Sequence, residues 1–137
     1  MQIEIQLTHS PIAAPLPPAP LTGAGAWVEF RGVVRGEENG QLIAALEYEA
    51  YSSMAEREMR RIIGEIAATQ PCLFAKVIHR FGVIPVGEAA IYVGVAGKHR
   101  AEVFALLTQF MDRLKQDVPI WKRRVLTAGD LAKLQTK

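Results

Sequence analysis

Basic side chains crowd one stretch of this sequence. Residues 98–124 hold seven of them (Lys98, Arg100, Arg113, Lys115, Lys122, Arg123 and Arg124) against three acids, Glu102, Asp112 and Asp117. The stretch is therefore +4, while the whole chain is only +2. Such a cluster suits the binding of a phosphate or carboxylate. Lys98-His99-Arg100 falls where a helix should begin, and cations there oppose the helix dipole. A bound anion would remove the conflict, because free amides and basic side chains would converge on it. Lys115 and Lys122 flank Pro119. A chain that folds back at the proline would bring both ammonium groups to one pocket. A lysine in a last helical turn also serves the dipole alone, so Lys115 has a purely structural reading beside the chemical one.

Other residues offer less chemistry. His79, between Lys76 and Arg80 in a strand, reads as structural or surface, and His9 lies in an exposed stretch. Glu47 and Glu49 share a strand face and could pair with basic side chains. No HExxH, P-loop or ligand-spaced histidine pair is present, so no metal and no cofactor is expected. Gly23-Ala24-Gly25 leads into a strand rather than a helix and so cannot cradle a phosphate at a helix start. The one cysteine, Cys72, cannot form an internal disulfide or a CxxC pair. Trp121 reads as a core or interface anchor.

The elements that must position these groups follow from periodicity. With 137 residues, half of them apolar, the chain can bury one ordinary core, and a single domain spanning 1–137 is expected. Ile3, Ile5 and Leu7 alternate as a short strand. Five of the eight prolines lie between Pro11 and Pro20, so residues 11–21 read as an extended connector. Residues 26–34 and 42–50 alternate on either side of Asn39-Gly40, which predicts two long antiparallel strands joined by a hairpin turn. Ser53-Met54-Ala55-Glu56 fits a capping box, and Ala55, Met59, Ile62 and Ile66 give the buried stripe of a helix ending before Pro71. Strands are predicted at 74–80 and 88–96, with Ala89, Ile91, Val93 and Val95 sharing a face and Gly82–Gly87 as a turn. A second helix from near Lys98 buries Val103, Leu107, Phe110 and Leu114 and stops at Pro119. The rest, 125–137, reads as a short mixed tail, with Asp130 to Gln135 as a final helical turn. Paired strands with two intervening main helices mean α+β with a mainly antiparallel sheet.

The near-neutral total argues against a general nucleic-acid coat, and the aromatic content of 7% is low for a stacking surface. No apolar run reaches the ~18 residues of a membrane span, and the first residues lack a signal-peptide pattern. A soluble cytoplasmic protein is expected, without nucleic-acid or membrane partners.

Several motifs, in order, resemble the catalytic (large) subunit family of molybdopterin synthase. They are Phe30-Arg31-Gly32-Val33-Val34-Arg35, Leu46-Glu47-Tyr48-Glu49-Ala50-Tyr51 with Met54, His79-Arg80-Phe81-Gly82, Val86-Gly87-Glu88, His99-Arg100, and Pro119-Ile120-Trp121-Lys122-Arg123. The resemblance runs from about Ala26 to Arg124. It implies an α/β-hammerhead fold with added antiparallel strands and a homodimer that binds two small ubiquitin-like sulfur-carrier subunits as a heterotetramer. It implies transfer of two sulfurs, one from each carrier's C-terminal thiocarboxylate, to cyclic pyranopterin monophosphate, giving the molybdopterin dithiolene. The family's catalytic lysines fall on Lys115 and Lys122. Its substrate-binding residues fall on Val33, Val34, Arg35, His99, Arg100, Arg123 and Arg124, with the His-Arg pair reaching the pocket from the neighbouring subunit. Lys122 would stabilise an oxyanion or position the thiocarboxylate. Lys115 would move a proton or form a transient covalent adduct. A paralogue that only docks a carrier tail is the alternative. The sequence departs from the family in the proline-rich stretch, where a helical segment is usual, and in its shorter end.

Overall fold

The computed structural model describes residues 1–13 and 22–135. Its elements run β1 (Gln2–Thr8), β2 (Ala26–Val33), β3 (Glu37–Glu38), β4 (Gln41–Leu42), β5 (Ala45–Ala50), α1 (Ser52–Ala67), β6 (Phe74–Arg80), β7 (Gly82–Pro85), β8 (Ala89–Gly97), α2 (Arg100–Asp117), β9 (Ile120–Leu126) and α3 (Ala128–Gln135). The α+β class is the one expected. The proline-rich connector read at 11–21 lies mostly outside the described residues.

Two sheets share the work. The larger has the order β1-β6-β8-β2, antiparallel except for the parallel β1·β6 pair. Helices α1 and α2 cover one of its faces. Ala55, Met59, Ile62 and Ile63 of α1 and Val103, Leu106 and Phe110 of α2 are fully buried there, against Val77, Val93 and Val95. The smaller sheet has the order β7-β5-β9, all antiparallel. Val34, Ile43, Leu46, Ile84 and Ala90 form its separate core. Only the second sheet carries Lys122, and only α2 carries Lys115, so the junction between the two layers decides the site.

Several local expectations are corrected. Asn39 (φ 51°) and Gly40 (φ 79°) make the left-handed turn that their types favour, but the hairpin flanking it is only two residues on each side. The long strands pair elsewhere, β2 with β8 and β5 with β7 and β9. The reason is burial: Ala26 and Val28 pack against the helical core, whereas Leu46 and Tyr48 belong to the other core. Pairing β2 with β5 would leave one of these faces in water.

The capping box is not made. Helix α1 starts at Ser52 with Tyr51 as its extended N-cap and no side-chain cap. Ser53 therefore sits inside the first turn, and Glu56 faces Arg60 at 3.4 Å instead. The segment Gly82–Gly87 is more than a turn. Its end glycines adopt φ of 88° and 90°, and Gly82–Pro85 form edge strand β7, where Pro85 stands opposite Ala45 and its missing N–H leaves no acceptor unfilled. Helix α2 begins at Arg100, close to the expected start. Past Trp121 the chain is strand to Leu126 and then α3. The exposed run Lys122-Arg123-Arg124 hides that strand from any apolar alternation.

Candidate functional site

Where the two sheets and the end of α2 meet, they enclose a cavity of about 430 Å³, within the size range of small-molecule sites. Its wall takes Gly32 and Val33 from β2, Val34 and Arg35 from the bend after it, and Glu38 from β3. Tyr48 of β5, His79 of β6, Lys115 of α2 and Lys122 of β9 complete the polar lining. Five of the residues expected from sequence, Val33, Val34, Arg35, Lys115 and Lys122, are thus brought together from three separate places in the chain.

Each is placed for a definable reason. Val34 is buried, and its backbone is clamped by the loop after β7. Its N–H donates to the Glu88 carbonyl (3.0 Å), and the Gly87 N–H donates to the Val34 carbonyl (2.9 Å). This clamp turns the chain out of β2 and presents Arg35 to the cavity. Lys115 lies in the last turn of α2, which ends when Val118 adopts extended backbone ahead of Pro119.

Lys122 is aimed by a β-bulge. In the β5·β9 ladder Glu47 pairs with Arg124 and Tyr48 with Lys122, leaving Arg123 as the extra residue. Lys122 therefore shares the cavity face with Tyr48. Arg124 goes to the opposite face, where its Nε donates to Glu47 (2.6 Å), and Arg123 reaches Glu49 (2.9 Å). The structure does not bring Arg123 and Arg124 into this chain's cavity. It does join Glu47 and Glu49 to basic partners, as their shared face suggested.

His99 and Arg100 stand at the other end of α2, exposed, roughly 22 Å along the axis from Lys115 at 1.5 Å per residue. They do not line this chain's cavity. The dipole conflict at that end is eased by Glu102, whose carboxylate contacts His99 Nδ1 at 3.1 Å. The Glu102 carboxyl is held below its ordinary range, first by its own backbone N–H and then by His99.

Three polar lining residues were not among the site residues expected from sequence. Glu38 accepts a hydrogen bond from Lys122 Nζ at 2.6 Å, and this bond and charge hold its carboxyl below the usual range. Tyr48 contributes a ring and a hydroxyl. His79 is 6% exposed, and its ring stands edge-on to Tyr48 with centroids 5.8 Å apart. Burial pushes its pKa below the ordinary 6.5. The alternation of Leu46, Tyr48 and Ala50 put Tyr48 on an inward face, but nothing local says that β9 lies opposite. Cys72 lies away from the cavity, beneath the start of α2. Its Sγ faces the Glu102 carbonyl at 3.5 Å, and burial, with the Glu102 charge, raises the thiol to about 11. Among the described residues no three His, Cys, Asp or Glu side chains are grouped to hold a metal ion, and no helix is long and apolar enough to cross a membrane.

Comparison with known proteins places this arrangement. A family model described as MoaE protein matches residues 7–117. The molybdopterin synthase catalytic subunit of Pyrococcus abyssi is 41% identical over 109 residues, covering 80% of this chain and 74% of that one. That of Thermoplasma volcanium is 38% identical over 107 residues, 78% of each chain. A solved structure of molybdopterin synthase from Staphylococcus aureus superposes with a TM-score of 0.79 at 29% identity, covering 90% of this chain and 92% of that one. With matched span, sequence identity and fold in agreement, the chain belongs to the MoaE family.

Proposed function

We propose that this chain is the large, catalytic subunit of a molybdopterin synthase. It transfers sulfur from the C-terminal thiocarboxylate of a small ubiquitin-like carrier subunit to cyclic pyranopterin monophosphate, a cytoplasmic step of molybdenum cofactor biosynthesis. The observation that carries the reading is the convergence of Lys115 and Lys122, from a helix end and a bulged strand, on one cavity with Arg35. Both reactants are anionic, so a cationic cavity attracts them and stabilises charge as it develops.

In this reading Arg35 holds the substrate phosphate beside the backbone of Val33 and Val34. His99 and Arg100 complete the phosphate seat from a second copy of the chain, because they lie too far from their own cavity. The working assembly is then a homodimer of this chain with two carriers, a heterotetramer. The thiocarboxylate sulfur bonds to a substrate carbon as a C–O bond at that carbon breaks. The oxygen leaves with a proton delivered by Lys115, and a thioester links substrate to carrier. Water then cleaves the acyl C–S bond, leaving sulfur on the substrate and releasing the carrier as a carboxylate. Lys122 steadies the oxyanion of the acyl carbon, and Lys115 moves the proton. Arg123 and Arg124, tied to Glu49 and Glu47, shape the strand that presents Lys122 rather than touching substrate. Cys72 takes no part: its buried thiol is a poor persulfide carrier, so the sulfur arrives on the partner. The residues assigned to this chemistry all belong to the one domain, 1–137, paired with a second copy and two carriers.

The test mixes the protein with thiocarboxylated carrier and cyclic pyranopterin monophosphate and measures dithiolene product. Product from wild type and a loss of about 10²–10⁴ in rate for Lys115→Ala, the range of a proton-transfer group, are expected. Carrier binding without turnover would mark a docking paralogue, and full activity in Lys115→Ala would refute the assignment.

A further inference from the structure

His79 does more in this cavity than fill space. Its Nδ1 lies 2.8 Å from the Arg80 carbonyl oxygen. A carbonyl only accepts, so Nδ1 carries the proton and donates. Burial disfavours the imidazolium, which leaves Nε2 with a lone pair and no proton. Nδ1 faces the backbone, so Nε2 lies on the outer edge of the ring, and the ring lines the cavity. No partner for Nε2 exists among the described residues. The side chain is buried, yet Nε2 is not among the buried polar side-chain atoms left without a partner, which among the described residues are Trp27 Nε1 and Arg80 Nε, so it keeps an open side that a donor in the cavity can reach.

The rest of the polar lining sharpens the point. Arg35, Lys115 and Lys122 only donate. Glu38 accepts Lys122 Nζ on Oε1 at 2.6 Å and remains a charged acceptor through Oε2, paired with a cation. Tyr48 presents a hydroxyl that donates as readily as it accepts. His79 Nε2 is the uncharged lining side-chain acceptor that does not also donate. The cavity thus has two chemical ends: cations for an anion, and a neutral imidazole lone pair for an N–H. A ligand with both a phosphate and a nitrogen heterocycle bearing ring N–H and amino donors matches that division.

We propose that His79 is a specificity-determining residue whose Nε2 accepts a hydrogen bond from an N–H of the bound pterin ring, orienting the ring while the cations hold the phosphate. This rests on the substrate assigned above. It separates a pterin from phosphorylated molecules that lack such a donor. The edge-on Tyr48 ring and the Nδ1–H bond hold the imidazole plane, so the acceptor direction is set before the ligand arrives.

The test is nitrogen NMR of the full-length protein labelled in its histidine rings. In the free protein the His79 Nε2 resonance should be that of an unprotonated nitrogen. It should move upfield, as for a nitrogen accepting a hydrogen bond, when cyclic pyranopterin monophosphate is added. Inorganic phosphate alone should leave it in place. By calorimetry, His79→Leu should weaken binding of the same compound by about two- to tenfold, the range of one neutral hydrogen bond, with inorganic phosphate affinity unchanged. His79→Gln, whose amide oxygen can accept, should recover part of the loss. If the compound binds wild type and Nε2 does not move, the inference is overturned while the functional reading stands. If the compound fails to bind wild type, both fall. The NMR result requires no variant to fold.

Discussion

Replacing Glu88 by Ala tests how the cavity wall is held. Arg80 is 7% exposed, and its Nη1 donates to Glu88 at 2.7 Å. Its Nη2 has only a long contact to the Val83 carbonyl (3.5 Å), and its Nε is buried without a partner. Removing the Glu88 carboxylate therefore strands a buried guanidinium. Losing one partner of a buried pair costs about 3–5 kcal/mol. Glu88 itself is 44% exposed, so water reaches one side of the pair and about 2–3 kcal/mol is the apt figure. For 137 residues, the unfolding entropy is about 0.3 kcal/mol/K. The melting temperature should fall by about 7–10 °C, read by calorimetry. The clamp on Val34 runs through the Gly87-Glu88 backbone, so loosening this loop should also raise KM for the anionic substrate through Arg35. The double variant Arg80→Met, Glu88→Ala removes both charges and should regain much of the stability, since an absent pair costs less than a broken one. A melting temperature within about 2 °C of wild type in Glu88→Ala would show that solvent already satisfies Arg80, and the clamp argument would fail with it.

Glu38 competes with any anion for Lys122, so Glu38→Gln should tighten inorganic phosphate binding roughly two- to fivefold, the range of a screened pair; unchanged affinity would show that the pair does not guard the site. Because His79 is kept neutral below its ordinary 6.5, the unfolded chain binds a proton there that the folded chain refuses. Stability from this group is complete above 6.5 and declines as pH falls towards its lowered value. The wild-type melting temperature should thus drop more steeply than that of His79→Gln between about pH 7 and pH 5.5, and parallel curves would contradict the burial argument. With a thiol near 11, Cys72 should alkylate slowly in the folded protein at about pH 8, as followed by mass spectrometry. Cys72→Ser should keep its sulfur-transfer rate, and a folded but inactive Cys72→Ser protein would restore a persulfide route.

Local pattern determined much of this protein. The 3.6-residue stripes placed α1 and α2 because each helix has one face that must leave water, and Pro71 and Pro119 ended them because proline cannot continue the ladder. The strands expected at 74–80 and 88–96, found at Phe74–Arg80 and Ala89–Gly97, and the Asn39-Gly40 turn were legible for equally local reasons. So was the reversal at Pro119 that would unite Lys115 with Lys122. Partnership was not legible. Whether β2 meets β5 or β8 depends on which core takes Ala26 and Val28, a choice between surfaces far apart in sequence. The strand β9 has no apolar alternation, because one of its neighbours is Glu47 rather than a greasy face, and the bulge at Arg123 that turns Lys122 inward and Arg124 outward exists only in the register with β5. For the same reason His79 read as a surface or structural histidine: its flanking Lys76 and Arg80 are sequence neighbours, while Tyr48, Lys115 and Lys122, which make it part of a site, are brought beside it by tertiary packing alone.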